Sequence, residues 1–153
     1  MLEQLDSIDW KSYNAEYIPD LTRGLASPEV EIQLDAELKL WWILAPMPHG
    51  VWEELDAAAV QKLLETELPI VVIPFLMELL QTEEAVRKDM VLQLVVFMSR
   101  YREYVEDEAH WELAMRCFEA LKIGMPIYQR LLNDANPHVK ALALEVIHNL
   151  QIE

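Results

Sequence analysis

Glycine, cysteine and basic residues are scarce in this chain of 153 residues, which holds three, one and twelve of them respectively. Gly24, Gly50 and Gly124 stand alone, so there is no glycine-rich loop to cradle a phosphate and no flexible linker dividing the chain. Cys117 has no second cysteine to pair with, and its place in the helical-looking run 112–121 gives it the character of a reduced, buried thiol. Twelve Lys and Arg stand against 27 Asp and Glu, a net charge of −15 and a pI near 4.5. Such a chain is repelled by phosphate backbones and anionic bilayers, so nucleic acid is a poor partner and a basic protein a suitable one. No apolar run reaches the length of a membrane span; residues 68–80 come closest but hold two prolines and a glutamate. Residues 1–10 carry acids where a signal peptide has a basic flank and an apolar run, so a cytoplasmic location is expected.

What is present is apolar mass. Hydrophobic residues make up 53% and the mean hydropathy is +0.06, too apolar for disorder. A single domain of this size buries roughly 70% of the surface its unfolded chain exposes. One pattern is printed more than once. Residues 18–36, beginning Ile18-Pro19-Asp20-Leu21, and residues 125–143, beginning Met125-Pro126-Ile127-Tyr128, superpose without a gap. Pro19 falls on Pro126, Arg23 on Arg130, Leu25 on Leu132, Ile32 on Val139 and Ala36 on Ala143, all 107 apart. A third copy runs from Ile73-Pro74-Phe75-Leu76 through Leu80 and on to Phe97, with one residue dropped from the turn. Each copy is expected to open with a proline at a helix start (Pro19, Pro74, Pro126) and to turn at Ser27-Pro28, Thr82-Glu83 or Asn136-Pro137. Two further helices are expected outside the copies, over 51–65 with Glu53 or Asp56 near its start, and over 109–122 closing at Gly124.

The second helix of each copy is the informative one. At about 100° per residue, Ile32, Ala36, Leu40 and Ile43 form one apolar arc of the first, and Val30, Leu34, Leu38 and Trp41 form another, so this helix is expected to be sandwiched. Between the arcs lie Glu31, Asp35, Lys39 and Trp42. The same count from Val86 brings Asp89, Gln93 and Arg100 into nearly the same sector, together with Val96. In the last helix Leu142 and Val146 enter that sector and Lys140, Glu145, His148 and Asn149 gather opposite, leaving one buried face. Trp10, Trp41, Trp52 and Trp111 read as packing residues. Trp42 differs: it sits in the polar sector, where a large aromatic suits a binding anchor ringed by polar groups.

Catalytic constellations are missing. His49, His110, His138 and His148 have no metal-ligand spacing, Cys117 has no adjacent histidine, and no nucleophile elbow occurs. Acid pairs such as Glu53-Glu54 and Glu83-Glu84 point in different directions on a helix and suit charged first turns. No catalytic residue, metal or cofactor is therefore expected, and the expected activity is binding.

The repeated units resemble HEAT-like repeats, whose second helix carries the positions seen here as Val139, Ala143 and Ile147. Over nearly the whole chain there is a more specific likeness to bacterial HEAT-repeat proteins. It rests on Ile8-Asp9-Trp10, His49-Gly50-Val51-Trp52, Ala57-Ala58-Ala59-Val60 and Pro74-Phe75-Leu76. The resemblance implies an all-α fold: a short HEAT-like α-α solenoid of about three helix pairs with extra helices. It would be one domain, 1–153, with repeat units at about 17–44, 72–99 and 125–151. It further implies a non-catalytic protein-binding scaffold, because small bacterial proteins of this kind include immunity proteins that neutralise a toxin. A basic toxin, held by Glu31, Asp35 and Asp89 around Trp42, with Gln93 and Arg100 completing the face, is the sharper expectation. The HEAT-like alternatives are DNA glycosylases, which need a cationic cleft this chain does not encode, and lyases that attach bilin chromophores. The second leaves open an enzyme accessory or lyase-type protein that binds a small ligand or chromophore. Oligomeric state is left open.

Overall fold

A computed structural model describes residues 2–13, 15–46, 55–82 and 87–151. Among these residues the chain is all-α, with no strand. Its helices are α1 (Ile18–Leu25), α2 (Val30–Leu44), α3 (Ala57–Glu65), α4 (Leu68–Gln81), α5 (Lys88–Ser99), α6 (Glu108–Lys122), α7 (Met125–Leu131) and α8 (Pro137–Gln151). Short 3-10 segments occupy Leu2–Ser7, Trp10–Tyr13 and Tyr101–Tyr104.

Side-chain caps set the starts of α3, α6 and α8. The Asp56 carboxylate accepts from the amides of Ala58 and Ala59 at the start of α3, and Asp107 accepts from His110 at the start of α6. The Asn136 side chain accepts the His138 amide at 2.9 Å, with Pro137 opening α8, as the spacing predicts. Proline opens α1 and α7 in the same way. In the middle copy it does not: α4 begins at Leu68-Pro69, and Pro74 lies inside the helix. Pro74 has no amide to bond back to Ile70, an interior defect that a helix normally resists. Here α4 is buried along most of its length, from Leu68 and Val72 through Phe75, Leu76, Leu79 and Leu80, and packing outweighs the missing hydrogen bond. Ahead of it Glu67 adopts a left-handed backbone, φ 60°, with Arg116 of α6 paired to its carboxylate at 2.5 Å.

Helices adjacent in the chain pack as pairs. α1 lies on α2, α4 on α5 and α7 on α8; α2 meets α5, α5 meets α8, and α4 touches both α1 and α7. α3 and α6 pack on each other and on the Tyr101–Tyr104 segment, and α6 also covers α4 and α5. In the first pair α1 comes close to α2 at Gly24, where an added Cβ would sit 2.8 Å from that of Ala36. Leu25 and Leu80 are buried, and Leu132 is partly buried against the core. α8 has one buried face, Val139, Leu142, Ala143, Val146, Ile147 and Leu150, as its pattern predicts.

The expected sandwiching of α2 does not occur. Its core side is Gln33, Ala36, Glu37, Leu40 and Leu44, while Val30, Leu34 and Leu38 face solvent. Ile32 is exposed as well, unlike its counterpart Val139: among the described residues no helix packs on α2 in the way that α5 packs on α8. Trp10 and Trp41 do pack, Trp10 beside Phe75 and Trp41 edge-on to Phe97 with centroids 5.5 Å apart. The expected segment 51–54, with Trp52, and the residues His49, Gly50, Glu83 and Val86 lie outside the described residues.

Candidate functional site

Helical geometry sorts α2 into three sides. Gln33, Ala36 and Leu40 are buried, and the Gln33 amide donates to the Leu25 carbonyl of α1 at 3.0 Å. Glu37, Trp41 and Leu44 lie about a quarter turn further round and meet α5 together with its flanking residues. Glu37 reaches Arg87, Trp41 reaches Phe97, and the Leu44 carbonyl accepts the Tyr101 hydroxyl. α2 and α5 therefore run in the same direction. The third side is open. It carries the apolar row Val30, Leu34, Leu38 and Trp42, spaced by four residues and hence one above the next along the helix. Leu38 is 62% and Trp42 64% exposed. Glu31 and Asp35 flank this row, and Asp35 holds Lys39 at 2.8 Å.

The structure thus places Glu31, Asp35 and Trp42 together on one solvent face. It joins Asp89 to that neighbourhood indirectly, through Arg87. The Arg87 guanidinium lies 3.1 Å from Glu37 and 3.4 Å from Asp89 and so ties α2 to the first turn of α5. Glu37 is only 3% exposed. Burial raises its pKa above the ordinary carboxylate value, Arg87 opposes the shift, and Asp89 adds to it. Its second oxygen has no hydrogen-bond partner among the described residues. Gln93 is half-buried one turn beyond Asp89. Arg100 lies about 17 Å along the helix from Asp89 and pairs with Glu103 at 2.8 Å, so it shares the helix side but belongs to a different neighbourhood. Val96, expected in the same sector, is buried.

The groups that carry chemistry elsewhere are engaged or enclosed. Burial pushes the Cys117 thiol up to about 12, which keeps it protonated, and pushes the Tyr101 and Tyr128 hydroxyls well above their ordinary value. The Tyr128 hydroxyl donates to the Leu121 carbonyl at 2.9 Å. Both ring nitrogens of His110 are taken, one by Asp107 and one by Glu65 at 2.7 Å, joining the end of α3 to the start of α6. No cluster of three or more His, Cys, Asp or Glu able to hold a metal occurs among the described residues. No described helix is long and apolar enough to cross a membrane.

One residue carried a signal that its surroundings in sequence conceal. Trp111, expected to pack, is 46% exposed and lines a groove formed by the end of α5, the 3-10 segment after it, α6 and α8. Comparison with known protein families, with curated proteins and with solved structures finds no match for this chain.

Proposed function

We propose that the chain is a non-catalytic protein-binding scaffold, a short HEAT-like α-α solenoid of three helix pairs whose working surface is the open side of α2. The observation that carries this reading is the solvent-facing row Val30, Leu34, Leu38 and Trp42 beside the carboxylates Glu31 and Asp35. A large aromatic held in water by a rigid helix costs hydration free energy that only a partner recovers, and tryptophan among polar neighbours is the usual composition of a binding hot spot. With a net charge of −15, the complementary surface is an apolar cleft or helix rimmed by Lys and Arg. An immunity protein that occupies a basic toxin is the specific form of this proposal. Glu31, Asp35 and Trp42 would form its centre, Asp89 and Gln93 its α5 margin, and Arg100 would lie outside it.

The test begins with capture of the partner from the source cell and its purification. Trp42→Ala is expected to weaken affinity by about 2 kcal/mol or more, with a far smaller loss of thermal stability than Leu40→Ala, which removes a fully buried side chain. Charge reversal at Asp35 is expected to slow association more than it speeds dissociation. Undiminished affinity in Trp42→Ala would remove α2 from the interface.

A further inference from the structure

α2, α5 and α8 lie side by side in that order, so α5 has a neighbour on each side, whereas among the described residues no helix packs before α2 or beyond α8. The side of α8 that α5 covers is marked by Asn149, whose amide donates to the Ser99 hydroxyl at 3.1 Å, and the buried Leu142 and Val146 share that side by helical spacing. The spacing of 107 that relates the first copy to the last carries Leu142, Val146 and Asn149 back to Asp35, Lys39 and Trp42. Where α8 buries two aliphatic side chains, α2 exposes an ion pair of 2.8 Å, with Ile32 and Trp42 also exposed beside it. An ion pair tolerates water, so α2 stands without a covering helix, while the indole next to it is apolar surface that such a helix would remove from solvent. The far end of the stack carries a matching side. Glu37, Trp41 and Leu44, by which α2 meets α5 and its flanks, map by the same spacing onto Leu144, His148 and Gln151. All three are exposed, Leu144 by 60%, and Lys140 lies one turn before Leu144 on the same row. This side of α8 thus sets an aliphatic centre between a cation and a histidine, where the open side of α2 sets an indole beside the carboxylates Glu31 and Asp35.

We propose that the chain associates with itself head to tail, α8 of one copy taking the place beside α2 of the next that α5 takes beside α8. Glu31 and Lys140 both lie in the first turn of their helices, and Trp42 and His148 both lie in the last. A parallel alignment, the one α2 and α5 already adopt, therefore brings Lys140 of one copy toward Glu31 of the next and His148 toward Trp42, with Leu144 between them. The inference rests on the open α2 side of the proposed function and adds α8 to it, so a second copy and a basic partner compete for Trp42. Two chains of net charge −15 repel each other, which keeps the contact weak and reversible, but in about 0.15 M salt charges more than about 8 Å apart are largely screened and the local pairing decides. Because the two sides differ and lie at opposite ends of a rigid stack, one contact leaves one free side on each copy, and association continues into open chains or rings.

The experiment is analytical ultracentrifugation of the full chain at about 0.15 M salt, over concentrations from about 10 μM to 1 mM. The average mass is expected to rise with concentration past twice the 17.8 kDa of one chain. Trp42→Ala and Leu144→Asp, each lacking one side, are expected to remain monomeric alone. Mixed in equal amounts they join the intact α2 of Leu144→Asp to the intact α8 of Trp42→Ala, and the expected product is a species of two chains and none larger. Both side chains are exposed, and thermal melting certifies that each variant folds. Lys140→Glu, which turns a carboxylate toward Glu31, repeats the test by charge alone and is expected to weaken association about tenfold. A wild type that stays monomeric or stops at two chains overturns the proposal, as does a mixture that stays monomeric or undiminished association in Trp42→Ala or Lys140→Glu. Association retained by Leu144→Asp overturns it too, since the contact would then join α2 to α2. The proposed function is read separately: Leu144→Asp leaves α2 intact, so its affinity for the captured partner reports on the α2 surface whatever the state of self-association.

Discussion

Tyr101→Phe removes one oxygen from the place where the first helix pair is tied to the middle of the chain. Tyr101 is fully buried, and its hydroxyl donates to the carbonyl of Leu44, the last residue of α2. A carbonyl in the last turn of a helix has no partner within the helix, and Leu44 is itself buried, so water does not replace the donor. Phenylalanine fills the same space, and the loss is therefore almost purely that of leaving a buried acceptor unsatisfied, about 1–3 kcal/mol. For a domain of this length that corresponds to a fall in melting temperature of roughly 2–12 °C. Ionisation supplies a second readout. Burial raises the Tyr101 pKa well above its ordinary value of 10.0, so the folded state holds the phenolic proton after the unfolded state has lost it. The stability this group contributes is complete below pH 10.0 and is lost as pH rises above it. Urea melts at neutral pH and across the alkaline range therefore test the contact twice: the variant should be less stable at neutral pH and should lose stability less steeply above pH 10. Tyr128 and Cys117, also raised by burial, keep part of the alkaline slope in both proteins. A variant within about 0.5 kcal/mol of wild type and with an unchanged alkaline slope would refute the argument.

Gly24→Ala would place a methyl group 2.8 Å from the Ala36 Cβ and force α1 from α2. A loss of about 1–3 kcal/mol in urea melts is expected despite the better helix propensity of alanine, and Ala36→Gly in the same chain should recover part of it. At Glu37 the folded pKa is raised, so the stability this group contributes is present below its ordinary value of 4.5 and lost as pH rises. Glu37→Gln, which keeps an oxygen for Arg87, should be the more stable protein at neutral pH, with the gap closing below pH 4.5; a gap independent of pH would show that the carboxylate is not the cause. His110 is raised first by Glu65 and then by Asp107, so its contribution is complete below 6.5 and fades as pH rises above that. His110→Gln should flatten stability against pH between about 6 and 8, as read by thermal melting in matched buffers.

How much of this was legible in the sequence depends on how local each cause is. The start of α8 was legible because capping is a local matter: Asn136 and Pro137 open it by contacts within three residues, whereas α2 begins at Val30 after Glu29, with no side-chain cap, and not directly after Ser27-Pro28. The middle copy misled at Pro74, since its likeness to Pro19 and Pro126 suggested a helix start. The signal for the true start was Pro69 one residue inside α4, hidden in an apolar run with little periodicity.

The two faces of α2 show a different limit. Periodicity detects that a side of a helix is apolar but not what lies against it, so Val30, Leu34 and Leu38 read as a second core arc when they face solvent. Trp42 escaped that ambiguity because it departs from the pattern: an indole between two carboxylates has no packing explanation on either reading, and it is found exposed. Trp111 has the opposite history. Next to Leu113, Ala114 and Phe118 it looks like any packing residue, and its setting is created only when residues near 100, 111–122 and 149 meet across three helices. Charge obeys the same rule. A total of −15 describes the surface as a whole and conceals a groove where Arg100, Arg102 and Lys122 converge, since local potential is set by which side chains the fold brings together and not by their sum.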